Sequence, residues 1–553
     1  MRFRLFALLL TVVFTAGFTL AQDAADGGQN ESLGDFAKRV RAAKDDDSSA
    51  QQTSATTQAP GPTQPESLGD VAKKYRDNKK PEVVVTDEDA QDLFKQIDRI
   101  VNFASQDTHL PIHGEVKHKV IGRDEVDKMM VDFLAEDEER QNIQKSELVM
   151  KKFGLLPANF QLQKFYSTSG HSLAGFYAYK DRTMYLLNWI PLSKQQPVMA
   201  HELTHALQDQ NFDLTRWNGI HSSHSADKTQ QIDTEARLAA VEGQAMVVFV
   251  DYLLRPSGKT LADIPNAVET LRSILLSAYD SGVSVHNAPP LLKETTYFPY
   301  LDGFAFEMEI QKQEGTQGAF AGVFAHPPRN THEIIHPEDY IAHTGPQDFS
   351  LPDLTSAIGA GYKPYDSGSM GELDVRIMAT SFGRENEADT VASQWSGGSY
   401  QAVVKPSATA KSASDLTPSD LGLVYVSKWK SYAAASRLAQ LYEAALLKRS
   451  KTTGATAPTE CKPPANCASR WSASFISDEG PVAMEITADN TLIITQGLEP
   501  TTVTLVKEAL AHPQGQTRAS AEPELSLKFA ALPEMKALRE SLLEAVVAKL
   551  GEH

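Results

Sequence analysis

Pro197 to Leu214 reads PVMAHELTHALQDQNFDL, and inside it His201, Glu202 and His205 form an HExxH pattern. On a helix, positions i and i+4 share one face, so both imidazoles reach a single Zn²⁺. Glu202 lies beside them, placed to take a proton from a water that the metal activates. Val198, Met199, Ala200, Leu203, Ala206 and Leu207 are uncharged, as a helix buried behind a site requires. The bland alternative is an accidental HExxH on an ordinary amphipathic helix. A catalytic site needs a third ligand from elsewhere in the chain.

On the N-terminal side, SLAGFYAYKDRTMYLLNWI alternates aromatic and aliphatic residues on two arms, with Lys180-Asp181 near the turn, and predicts a β-hairpin. On the C-terminal side, QQIDTEARLAAVEGQAMVVFVDYLL at Gln230 to Leu254 predicts a helix. Leu238, Ala245, Phe249 and Tyr252 share a stripe that Glu242 interrupts. A carboxylate on an apolar face needs a cation or a hydrogen-bond partner, and a metal on two histidines supplies one. Gly243, with Ala240 and Ala245, should let this helix approach the motif helix closely. Glu235 is the rival ligand, but its place in the first turn is also accounted for by the helix dipole. Either choice completes a His₂Glu zinc site with one position left for water. His221 and His224, in HSSHSAD, read as a polar loop rather than extra ligands, and Asp209 as either an imidazole-orienting group or a surface acid.

A hairpin followed directly by an HExxH helix resembles the zincin metallopeptidases, in which an edge strand holds extended substrate by β-addition. The resemblance implies that Ala174 to Tyr179 or Thr183 to Leu187 lines the cleft. A Glu from a later helix places the chain closer to the gluzincin class. HELTHALQDQNFDL followed by EARLAAVEGQA is similar to a group of exported, largely uncharacterised bacterial and archaeal HExxH proteins. That similarity covers Gly175 to Tyr340, with weaker echoes at Gly371-Glu372 and Trp395-Ser-Gly-Gly. A peptidase of this type also needs a donor for the tetrahedral oxyanion. AHPPRNTHEIIHPEDYI offers His336 or Tyr340, and His336 is the candidate catalytic donor; the alternative is a loop of exposed histidines. Relatives carry Pro-Pro, Ser-Thr-Glu-Gln and His-Pro there; this chain departs with Asn330 and His332 but keeps Thr331, Glu333, His336 and Pro337.

The 553 residues carry a formal net charge of −18 and are 41% hydrophobic. Acidity argues against nucleic-acid binding, which draws its affinity from Lys and Arg on phosphates. Residues 1–21 open with Arg2 and Arg4, continue in an apolar run and end at Ala21, the pattern of a cleavable secretory signal. A secreted or periplasmic protein with no later membrane span is expected. Cys461 and Cys467 are the only cysteines, and their spacing suits a small disulfide loop. Residues 22–80 are low in apolar content and read as disordered. There ESLGDFAKRVR at Glu31 recurs as ESLGDVAKKYR at Glu66. This repeat is either a linear motif for a protein partner or a duplicated solubilising tail.

The expected fold is α+β and helix-rich. A zincin-like domain over 81–345 carries a small β-hairpin or sheet, and a smaller α+β module, an antiparallel sheet with a helix on it, spans 346–510. Residues 511–553 read as a linker and C-terminal helix. Nothing in the module has catalytic spacing, so its expected role is structural or substrate-orienting. The leading expectation is an exported zinc-dependent hydrolase, a peptidase with Glu202 as general base and a peptide or protein substrate. A catalytically silent zinc-containing binding protein, and an enzyme that cuts its own N-terminal segment, are the alternatives.

Overall fold

The computed structural model describes residues 85–512, apart from 136, 168–174, 191, 218–232, 281–287, 348, 353, 360, 455–458 and 461–468. The expected signal, the ESLGD repeats, the cysteine loop, His221, His224 and the C-terminal helix lie outside the described residues.

Helix α1 (Asp87–Thr108) begins with a reciprocal cap. The Thr86 hydroxyl accepts from Asp89 N–H, and the Asp89 carboxylate accepts from Thr86 N–H. Its buried stripe, Leu93, Ile97, Ile100, Val101 and Ala104, recurs at helical spacing. Strand β1 (Lys117–Ile121) follows, then helices α2 (Arg123–Ala135) and α3 (Asp137–Phe153). The hairpin forms as β2 (Gly175–Ala178) and β3 (Thr183–Leu187), paired antiparallel. β1 joins β3 in parallel, giving the order β1-β3-β2 and leaving β2 at an edge.

Helix α4 (Leu192–Phe212) carries HExxH and starts upstream of Pro197, which sits inside it. The Gln195 amide donates to the Leu187 and Ile190 carbonyls, at 3.1 and 2.6 Å, and so ties this helix to the end of β3. Helix α5 (Thr234–Leu254) is buried from Leu238 to Asp251, so it has no solvent face over that run. Beyond it come α6 (Ala267–Asp280), the long α7 (Pro290–Gln317), and the short α8 (Thr331–Ile335) and α9 (Pro337–Ala342).

The remaining strands and longer helices are β4 (Lys363–Ser369), α10 (Glu372–Ser381), β5 (Trp395–Val404), β6 (Leu421–Trp429), α11 (Tyr432–Arg449), β7 (Thr452–Thr453), β8 (Thr459–Glu460), β9 (Ser469–Ser477), β10 (Gly480–Thr487), β11 (Thr491–Gln496) and α12 (Pro500–Ala511). The strands build an antiparallel sheet in the order β4-β5-β6-β11-β10-β9-β7, with β8 on β9. α11 packs against β6, β10 and β11. The fold is therefore mixed α+β and helix-rich, with about 59% of the described residues in helix and 18% in strand.

One hydrophobic core runs from Val85 on the N-terminal side to Ile494 in β11, continuous across residue 345. Phe153, at the end of α3, meets Tyr400 of β5 and Tyr425 of β6 edge-on, with ring centroids 5.4 and 5.8 Å apart. No described helix is long and apolar enough to cross a membrane.

Candidate metal centre

Helices α4 and α5 pack against each other, and α5 presents Glu242 to the two imidazoles of α4. His201 Nε2 lies 3.1 Å from His205 Nε2 and 3.1 Å from Glu242 Oε2; His205 Nε2 lies 3.5 Å from the same oxygen. In a tetrahedral zinc site with bonds of roughly 2.0–2.1 Å, neighbouring ligand atoms stand roughly 3.3 Å apart. The triangle formed by these three atoms has sides of that length. All three side chains are buried, and Glu242 Oε1 has no hydrogen-bond partner among the described residues. The donor set and its spacing could hold a metal ion. Glu235 stays in the first turn of α5, outside this group.

The charges are balanced locally even without an ion. Burial pushes the Glu242 carboxyl up, but His205 and His201 outweigh it and hold it down to about 2. Burial pushes His205 down, and Glu242 more than restores it.

Gln208, three residues after His205, decides which ring nitrogen faces the centre. Its amide NH₂ donates to the Val241 carbonyl at 3.1 Å and to Gln244 Oε1 at 2.8 Å. That orientation turns Gln208 Oε1 to His205 Nδ1, 2.8 Å away, so Nδ1 carries an N–H and Nε2 is the nitrogen turned to the centre, where a metal would take it. Gln244 passes the chain on, donating to the Ala319 and Phe320 carbonyls at 2.9 and 3.3 Å. Sequence reading passed over Gln208, although a polar residue one turn from a ligand in an otherwise buried helix is itself a signal.

The edge strand β2 is the hairpin arm against the site. Tyr177 N–H donates to Glu202 Oε2 at 3.0 Å, tying the strand's backbone to the HExxH carboxylate. Asp209 does not orient an imidazole. Buried, it accepts from the Tyr177 hydroxyl and from Leu214 N–H, both at 3.0 Å, and pairs with Arg182 at 3.3 Å. Tyr179, just past β2, stands edge-on to His205 with centroids 6.3 Å apart. Its buried hydroxyl has no hydrogen-bond partner among the described residues. Burial, with the charges of Glu242 and Glu202, pushes that phenol far above its ordinary range, so it keeps its proton.

Gly243 does not face α4, as expected from sequence, but α7. A Cβ there would stand 2.1 Å from the Gly303 carbonyl, and one on Gly303 would stand 2.1 Å from the Ala239 carbonyl. The two glycines let the backbones of α5 and α7 touch.

His336 is not in the His201 group. It lies with His332 and Glu372 in a second cluster of possible ligands. Tyr340, the other donor expected from sequence, gives its hydroxyl proton to the His326 carbonyl at 2.6 Å. His332 to His336 reads HEIIH, a second occurrence of the HExxH spacing that sequence reading left unremarked. Comparison of the chain with family models, curated proteins and solved structures finds no match.

Proposed function

We propose that this chain is a zinc-dependent hydrolase of the peptidase type, resembling the gluzincins, with His201, His205 and Glu242 as ligands and Glu202 as general base. The observation that carries this reading is the ligand triangle, whose sides suit a tetrahedral cation, with the HExxH carboxylate beside it. Zinc bound there supplies Lewis acidity toward a scissile carbonyl and toward water. Glu202 takes the proton from the attacking water and returns it to the leaving amine, its carboxylate held in place by Tyr177 N–H. Tyr179 takes the donor role expected of His336, because its protonated hydroxyl has no partner among the described residues and its ring stands edge-on to His205. The edge position of β2 supports capture of an extended peptide by strand addition. The N-terminal apolar run supports export.

One observation favours the silent zinc-binding reading instead. His201, Glu202, His205 and Glu242 are each 0% exposed, so substrate has no open approach to them in this conformation.

A zinc-loaded peptide-library digest, run with and without chelator, separates the two. Hydrolysis is expected from the native chain, and Glu202→Gln is expected to keep its zinc while losing turnover by about 10²–10⁴-fold. Undiminished turnover in that variant would overturn the mechanism. A native chain that holds zinc but cleaves nothing supports the silent reading.

A further inference from the structure

The second HExxH occurrence sits on a different framework from the first. His332 lies in α8, a helix of only five residues, and His336 follows where the backbone leaves helical geometry, at φ −122° and ψ 73°. Glu372 is the first residue of α10 and brings its carboxylate between the two rings. His332 Nδ1 lies 2.5 Å from Glu372 Oε2, and His336 Nε2 lies 3.0 Å from Glu372 Oε1. The rings themselves stand 4.4 Å apart by their centroids.

The other face of each ring matters as much. His332 Nε2 meets Asp339 Oδ2 at 2.9 Å, and His336 Nδ1 lies 3.5 Å from Glu338 Oε1. Every imidazole nitrogen in the cluster is therefore turned toward a carboxylate oxygen, an acceptor. A neutral imidazole has one N–H and one lone pair, so it can satisfy only one of its two partners. A second proton on each ring removes the conflict, and so does a cation held between the rings and Glu372 once Oε2 draws back from its 2.5 Å contact with His332. The lone pairs of His332 Nδ1 and His336 Nε2 then face the metal, the remaining N–H of His332 donates outward to Asp339, and Glu338 lies near that of His336. A metal-bound histidine whose other nitrogen donates to a carboxylate is a recurrent arrangement.

We infer that His332, His336 and Glu372 form a second divalent-cation site of the zinc class, with Asp339 orienting His332. His332 and Glu372 are buried, while His336 is 25% exposed, which gives an ion a way in from solvent.

The site is built to bind rather than to hydrolyse. Glu333, the counterpart of Glu202, is held by Arg329, whose backbone N–H donates at 2.7 Å and whose guanidinium donates at 2.8 Å through Nε and again through Nη2. Both of its oxygens are committed to Arg329. The site's position suits a clamp: Leu373 N–H, at the start of α10, donates to Thr331 Oγ1 at 3.3 Å. Thr331 N–H in turn donates to Asp233, the residue that caps α5, at 3.2 Å. The metal would pin α8 and α10 beside the helix that carries Glu242.

The test is metal counting on the full chain, stripped with chelator, reloaded with zinc and desalted. Two equivalents are expected for the native chain, one for His336→Ala and one for Glu242→Gln. Anomalous scattering at the zinc edge should place the second ion against Glu372, a result independent of any variant's folding. If the native chain carries a single equivalent that His336→Ala leaves in place, or if the anomalous map shows no peak at Glu372 when the His201 site is filled, the second site does not exist. A single equivalent that disappears in His336→Ala but not in Glu242→Gln would uphold this site and count against the first.

Discussion

At the scale of single residues, Gln208 is the sharpest case of a group that acts through another. Its amide is oriented by the Val241 carbonyl and Gln244, and its oxygen in turn orients His205. Gln208→Ala should leave the ligands in place yet weaken zinc affinity by about 10–100-fold, measurable by competition with a chromogenic chelator. Asp107 illustrates a different cost. Burial, and behind it the charge of Asp251, pushes its carboxyl up to about 8, and Oδ2 has no hydrogen-bond partner among the described residues. Burial also pushes Asp251 up to about 6. Both values lie above the unfolded value of about 3.9, so the folded state holds extra protons and stability falls as pH rises from about 4 to 8. Asp107→Asn removes its share of that loss. The variant should melt about 2–4 °C above the native chain at pH 8, and the gap should close toward pH 4.

At the scale of elements, the placement of Glu242 depends on how α5 is wedged between α4 and α7. Contact between α5 and α7 is possible because Gly243 and Gly303 have no side chains to separate the backbones. Gly243→Ala places a methyl carbon 2.1 Å from a carbonyl oxygen, and backbone cannot yield as a side-chain tip can. Overpacking of this kind costs about 3 kcal/mol or more, seen as a lowered denaturation midpoint. Because Glu242 is the adjacent residue, zinc retention should fall with it. The presence of α5 was readable from its periodicity, and Glu242 stood out as a charge in an apolar stripe. The neighbour that Gly243 meets was not readable, since a glycine announces close approach without saying to what.

At the scale of the whole molecule, the antiparallel sheet and the helical part meet through α3. Lys152 is wholly buried and pairs at 3.0 Å with Glu479, in the turn between β9 and β10. Arg449, at the end of α11, donates to the Lys151 and Lys152 carbonyls at 2.6 and 2.7 Å. Removing one partner of a buried pair leaves an uncompensated charge. Glu479→Ala is therefore expected to destabilise the fold by about 3 kcal/mol in urea denaturation, whereas replacing Lys152 and Glu479 together with apolar residues should cost much less. Strands β6, β10 and β11, and the QAVV end of β5, are legible in the sequence as apolar runs. β9 alternates just as clearly, with Trp471, Ala473 and Phe475 buried, and could have been read. β4, KPYDSGS, has no such pattern and becomes a strand by pairing with β5.

Local spacing alone sufficed to pick out α4 and α5 and to put His201 and His205 on one face, and it left Glu242 and Glu235 as rivals for the third place. Two imidazoles four residues apart must share a helix face, and a carboxylate on an apolar stripe must find a cation or a donor. Which strand lies against Glu202, which way Gln208 points, and which residues surround His336 follow from packing between segments far apart in the chain. HEIIH has the same covalent spacing as HELTH. It differs in that Arg329 holds its Glu, its helix ends within the motif, and its third ligand arrives from α10. Those are properties of neighbours brought together by folding, and the spacing of four residues carries no record of them.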